Sequence, residues 1–241
     1  VVSVQGSTTD VAVPNAVEIP STSRLVVTPP RVLLVGNFRY EPNAVGARWF
    51  LDEVMPRVRE RRSDVVLDLV GPTSEQFGSD GRGVVADLTP LYSAASVAVV
   101  PILTGSGTRI KALEAWSYGV PVVSTTVGVD GLGAVDGVDV LIADAAERFA
   151  AAIVSLMEDR EWAERIGTAG RRRAIETFDA ARVRHDMVQL IESMVGLGRW
   201  VAVPLPGDRS SLVCVVAPSD AENLEQMDAA ALDLEIERRA H

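Results

Sequence analysis

Cysteine, histidine and lysine are nearly missing from this 241-residue chain. One cysteine, Cys214, cannot close an internal disulfide, and two scattered histidines beside it do not make a zinc ligand set. Lysine occurs once, at Lys111, so every other member of the 23 basic side chains is arginine. A GC-rich coding bias toward arginine accounts for that ratio and leaves one exception. Positive charge is short as well: 23 Lys and Arg face 33 Asp and Glu, a formal net charge of -10. An acidic surface repels nucleic acid and anionic membranes, so neither is expected as a partner. Long apolar runs are also missing. Val97 to Leu103 is the longest, far short of the roughly 20 residues of a membrane helix, and no basic-then-apolar signal opens the chain. These shortages predict a cytoplasmic protein without metal, cofactor or transmembrane segment. What the chain does have is 47% hydrophobic residues, enough for a substantial core and too many for a disordered chain.

Residues 1–30 are rich in Val, Ser, Thr and Pro, and Pro14, Pro20, Pro29 and Pro30 break any helix there. The stretch reads as a linker and edge segment, and the absence of an initiator Met suggests a chain that begins inside a longer product. From Arg31 the pattern alternates. Val32–Val35 is a continuous apolar run, as in a strand buried on both faces. Val45, Trp49, Phe50, Val54 and Val58 then recur at helical spacing across residues 44–62. Further strands are expected at Val65–Val70, Val84–Ala86, Val97–Leu103, Val120–Ser124 and Val138–Ile142. Helical stretches are expected at Pro90–Ala95, Thr108–Tyr118, Ala145–Met157, Glu161–Thr177 and Ala180–Val195. Strands alternating with helices imply a doubly wound, Rossmann-like α/β domain with a parallel sheet over residues 31–196. Residues 197–241 read as an unassigned tail, the opening of another domain, with strands at Trp200–Leu205 and Leu212–Val216 and an acidic helix at Ala221–Arg239.

Ligands of such sheets bind beyond the carboxyl ends of the strands. The loop after Val97–Leu103 carries Gly105, Ser106 and Gly107, and a helix is expected to start near Thr108. Small residues allow close backbone approach, and the free amides and positive dipole end of a helix favour an anion such as a diphosphate. Lys111 lies about one turn in, and Glu114 follows at i+3 on the same face, with Ile110 and Leu113 turned elsewhere to pack. A lysine suits phosphates, and a carboxylate can accept two ribose hydroxyl protons. The same residues also suit a plain tight turn followed by an exposed Lys111–Glu114 pair worth about 0.2–0.5 kcal/mol. A dinucleotide fingerprint fails, since Gly36 is the one glycine in Gly36-Asn-Phe-Arg-Tyr40 after the first strand, and no P-loop spacing follows Gly107.

An ordered series of segments resembles the C-terminal, donor-binding domain of family 4 glycosyltransferases with the GT-B fold. It comprises Val32-Leu-Leu-Val-Gly-Asn-Phe38, Pro42-Asn43, Trp49-Phe50, Pro56, Asp68-Leu-Val-Gly71, Asp87-Leu-Thr-Pro-Leu-Tyr92 and Val99-Val-Pro101. Gly105-Ser-Gly-Thr-Arg-Ile-Lys-Ala-Leu-Glu-Ala115, Gly119-Val-Pro-Val-Val-Ser124, Gly128-Val-Asp-Gly131, Gly137, Leu141-Ile142 and Ala169-Gly-Arg171 complete it. Val13-Pro-Asn-Ala-Val17 resembles the linker ahead of that domain. The likeness covers about residues 11–196. It implies a nucleotide-sugar donor, with the amides of Gly105, Ser106, Gly107 and Thr108 on the diphosphate, Lys111 neutralising it and Glu114 on the ribose. Arg39 would be a second phosphate cation, or else a surface arginine, and the backbone of Val84–Asp87 would meet the base. It also implies metal-independent transfer with retention of configuration, and an acceptor held by another domain, encoded upstream or in a partner chain. Ser106 stands where the family often has a glutamate attending the donor sugar. A glycosyltransferase supplying its donor half is therefore the main expectation. A non-catalytic nucleotide-sugar-binding module without the acceptor domain is the alternative, and an epimerase or phosphorylase of the same fold is a third.

Overall fold

The apolar runs become the core of a parallel sheet because each is buried on both of its faces. The structure, a computed structural model, describes residues 14–21, 27–105, 107, 109–195, 200–205 and 208–216. Two compact units are present, residues 1–183 and 184–241. In the first, β1 (Arg31–Val35), β2 (Val66–Val70), β3 (Val97–Val100), β4 (Val122–Ser124) and β5 (Leu141–Ile142) form one sheet in the order β2-β1-β3-β4-β5. All its ladders are parallel, with Val32 opposite both Leu67 and Val97. Alternate side chains of each strand enter opposite layers. Val32, Leu34, Val97 and Val99 pack with Phe50, Val54 and Phe149, whereas Leu33, Ala98 and Val100 pack with Leu113 and Trp116. The doubly wound α/β architecture is thus observed.

The first layer contains α1 (Glu41–Trp49), α2 (Met55–Arg61) and α5 (Ala146–Glu158). The helix expected over residues 44–62 is interrupted by a π-helical turn at Phe50–Val54. Pro56 follows at once and has no N–H for an i→i-4 bond, which favours a local change of helical register there. The second layer contains α3 (Thr89–Ala94) and α4 (Ile110–Ser117). Helix α6 (Arg160–Arg173) meets both α4 and α5. Its N-cap Asp159 accepts a hydrogen bond from the Trp162 amide at 2.8 Å, satisfying one of the free donors of its first turn.

The strand expected at Val97–Leu103 ends at Val100 and that at Val120–Ser124 begins at Val122, while two others differ more. Residues 84–86 form none; the backbone pairs with β2 a few residues earlier, where Leu69 donates to the Asp80 carbonyl and Arg82 donates to the Leu69 carbonyl. The pairing ends at Gly83, at φ +71, whose carbonyl accepts from the Gly71 amide at 2.8 Å. The strand expected from Val138 contracts to Leu141–Ile142, because Asp136 and Val140 bridge each other in a turn. Part of the edge segment, 14–21, is held by a bridge between Val17 and Asp179 and by Arg171, which donates to the Pro20 carbonyl at 2.6 Å. The rest of the expected Val13–Val17 motif begins outside the described residues, as does the expected helix at Ala221–Arg239.

Helix α7 (Ala180–Val195) runs across the boundary between the units. In the second unit, β6 (Trp200–Leu205) and β7 (Asp208–Val216) pair antiparallel, with Ala202 opposite Cys214. Strand β7 starts four residues ahead of the expected Leu212, since the ladder continues to a Leu205–Asp208 pair.

Candidate active site

Strand order reverses between β1 and β3: the chain moves from β1 outward to β2, then returns to the other side of β1. Loops diverge at such a switch point and leave a crevice above the strand ends. A cavity of about 560 Å³ lies there. Val35 and Gly36, Val70 and Gly71, and Val100 and Ile102 line it from the ends of β1, β2 and β3. The start of α1 supplies Pro42 and Asn43. Helix α1 comes close to the end of β3 because position 46 is glycine; a Cβ there would lie 2.1 Å from the Pro101 carbonyl oxygen.

Gly105, Gly107, Lys111 and Glu114 all line this one cavity. Gly105 has φ +109, a conformation that a side chain disfavours. Ser106 and Thr108 lie outside the described residues. Arg39 is exposed on the turn between β1 and α1, and the structure does not bring it into the cavity lining. Val84, Val85 and Leu88 also line it, which brings the segment expected near a base to the same cavity. Helix α4 begins at Ile110 rather than Thr108, so Lys111 is its second residue. Ile110, expected to pack, is 44% exposed and lines the cavity instead; Leu113 is fully buried as expected.

Lys111 and Glu114 are each only partly exposed and have separate partners, which removes the exposed ion pair as an explanation. The Lys111 ammonium donates to Asn43 Oδ1, and Asn43 Nδ2 donates to the Asn37 carbonyl at 2.8 Å. Burial, followed by the neighbouring Arg109 guanidinium, pushes Lys111 down to about 8, against an opposing pull from Glu114. The charged form remains dominant at neutral pH but is poorly solvated, which is the condition under which an anionic ligand is most strongly attracted. Glu114 Oε2 accepts from the Tyr92 hydroxyl at 2.9 Å. Burial raises the Glu114 carboxyl, while the Tyr92 hydrogen bond and Lys111 lower it. Tyr92 is itself fixed by stacking on Tyr118, with centroids 4.9 Å apart and an interplanar angle of 12°. Burial, then Glu114, holds the Tyr92 phenol well above its ordinary range, so it serves Glu114 as a donor.

Three participants were not assigned from the sequence. Asn43 and Tyr92 occur in recurrent segments, but their partners are 68 and 22 residues away. Arg109 follows the glycine loop directly and is 8% exposed. Its position two residues after Gly107 was the available signal. Chemically, the site joins a glycine-containing turn, one desolvated ammonium and one oriented carboxylate. That set can take an anion and a hydroxyl-bearing group side by side.

A family model described as "Glycosyl transferases group 1" matches residues 29–159. An uncharacterized 44.6 kDa protein in the cps region of Klebsiella pneumoniae is 26% identical over 140 residues, covering 52% of this chain and 36% of that protein. HepE of Anabaena, solved in complex with UDP and glucose, superposes with a TM-score of 0.55 at 17% identity, over 68% of this chain and 48% of that one. The C-terminal domain of a group 1 glycosyl transferase, LpcC, from Francisella tularensis gives a TM-score of 0.53 at 17% identity, over 63% of this chain and 87% of that domain. The chain thus spans about a third of the curated relative and about half of HepE. The parallel five-stranded fold is the one shared with these GT-B structures.

Proposed function

Because this chain belongs to the group 1 glycosyltransferase family, we propose that it supplies the donor-binding half of a retaining, metal-independent glycosyltransferase acting in the cytoplasm. The donor is a nucleotide diphosphate sugar. One observation carries this reading: Gly105, Gly107, Lys111 and Glu114 converge on the switch-point cavity, beside a segment, 84–88, that can receive a base. The UDP bound by HepE is consistent with that class of ligand.

In the proposed transfer an acceptor hydroxyl bonds to the anomeric carbon on the face that the diphosphate leaves, as retention requires, while the bond to the diphosphate oxygen breaks and the hydroxyl proton passes to the departing diphosphate. The electron pair leaves with the diphosphate. Charge therefore grows on the phosphates in the transition state, and Lys111, with the glycine loop, meets it there. The Glu114 carboxylate, held by Tyr92, accepts from the ribose hydroxyls. Backbone amides of Ser106 and Thr108 complete the diphosphate contacts in this reading, and Arg39 remains at most a peripheral cation. The acceptor is held by a domain encoded upstream or in a partner chain. Residues 31–196 form the donor domain, with 1–30 as linker and 197–241 as the start of a further unit.

Calorimetric titration with UDP-, GDP- and ADP-sugars, each with and without a chelator, tests the reading. It expects saturable one-to-one binding by one nucleotide series, insensitive to the chelator. Failure of all three series to bind would overturn it.

A further inference from the structure

The loop that lines the cavity is shaped by a residue for which the proposed chemistry has no direct use. Arg109 precedes α4, and its guanidinium sits in a nearly closed site. Nη2 donates to the Gly105 carbonyl at 3.0 Å, Nη1 donates to the Gly107 carbonyl, and Nε donates to the Val127 carbonyl at 2.6 Å. The first two acceptors belong to the glycine loop after β3. The third belongs to the 3-10 turn Val127–Val129 after β4. That turn is independently anchored, since Gly128 donates to Thr125 Oγ1 at 3.1 Å and Thr125 Oγ1 donates to the Ile102 carbonyl. One planar cation therefore ties a glycine-rich loop to a fixed neighbour.

This has an electrostatic consequence. A carbonyl oxygen left unpaired in an anion-binding loop opposes the anion, and glycines leave the peptide free to turn that oxygen toward it. Resting on the nucleotide-sugar reading above, we infer that Arg109 is a positioning residue: it occupies the Gly105 and Gly107 carbonyls, so that the loop meets a diphosphate in one preset arrangement with those acceptors neutralised. The geometry calls for arginine. A guanidinium offers five donors in a fixed plane and always carries charge, whereas a lysine at 109 would offer one nitrogen at the end of a flexible stem. Arg109 does not replace Lys111. Each of its three nitrogens already donates to a backbone carbonyl, and Lys111 is the cation bonded to Asn43 in the cavity lining.

The test uses Arg109→Lys and Arg109→Gln in the full chain. Amide exchange is followed in the peptide spanning residues 103–110 without nucleotide, and affinity is then measured for a nucleoside and for its diphosphate. The lysine variant is expected to exchange at least tenfold faster in that peptide and to lose at least tenfold in diphosphate affinity, with nucleoside affinity within threefold of wild type. The glutamine variant, which loses the charge and all but one nitrogen, is expected to lose at least as much and serves alone if the lysine variant does not fold. Unchanged loop exchange, or equal loss of nucleoside and diphosphate, would overturn the inference. Wild-type protein that binds no nucleoside diphosphate refutes the underlying functional reading, whereas the exchange arm tests the bracing by Arg109 in either case.

Discussion

Replacing Lys111 by methionine should stabilise the unliganded protein while weakening its affinity for diphosphate. The stem is conserved in length and the ammonium is deleted. A fall from the ordinary 10.5 to about 8 corresponds, at about 1.36 kcal/mol per pH unit, to about 3 kcal/mol of cost in holding the charge within the fold. Water at the open side of the cavity screens this to about 2 kcal/mol, and Asn43 Oδ1 loses its donor at a cost of about 1 kcal/mol. A net gain of about 1 kcal/mol remains, or roughly 2–4 °C in melting temperature for a unit of this size. The sign with pH is distinctive. Below pH 8 both folded and unfolded chains carry the proton, and the wild type bears the full cost. Between 8 and 10.5 the folded chain releases its proton first, so wild-type stability rises relative to the variant. Above 10.5 the electrostatic difference is gone. Thermal melts of both proteins from pH 6.5 to 10.5 read this directly. A variant less stable than wild type at pH 7, or a difference independent of pH, would refute the reasoning. Loss of a charge-assisted contact worth about 1.5–3 kcal/mol should weaken diphosphate binding about 10- to 150-fold.

Glu114→Gln should narrow the preference for ribose over deoxyribose nucleotides about tenfold, read by competition binding, and an unchanged preference would return Glu114 to a structural role. Arg39→Ala should alter diphosphate affinity by no more than about twofold, because Arg39 is exposed and outside the cavity lining; a tenfold loss by calorimetry would bring it into the site. Gly46→Ala should destabilise the first unit by about 1–3 kcal/mol in a urea melt, since its Cβ would lie 2.1 Å from the Pro101 carbonyl oxygen; a stability equal to wild type would mean that α1 can move away from β3.

The strand runs were legible because Val32–Val35 and Val97–Val100 are apolar at every position, the pattern of a strand covered on both faces. Residues 84–86 misled for the same local reason: two valines in a row look like a strand, yet Val84 is 73% exposed and the pairing with β2 is made by backbone around residues 80–83. Backbone pairing at a sheet edge leaves little trace in side-chain pattern. At the site, the convergence of Gly105, Lys111 and Glu114 followed from one contiguous motif. Asn43, Tyr92 and the bracing role of Arg109 did not, because their partners lie in other loops and no local spacing relates them. Ile110 faces the cavity rather than the core because it lies four residues before Glu114 and so shares that residue's helix face.

The donor site can be tested most directly by amide exchange of the full chain with and without a saturating nucleoside diphosphate. Binding at the switch-point cavity predicts protection in three separate peptides, covering residues 35–43, 84–88 and 104–114, and little change at β6 and β7. Saturable binding that leaves those three peptides unprotected would contradict the placement of the donor in this cavity.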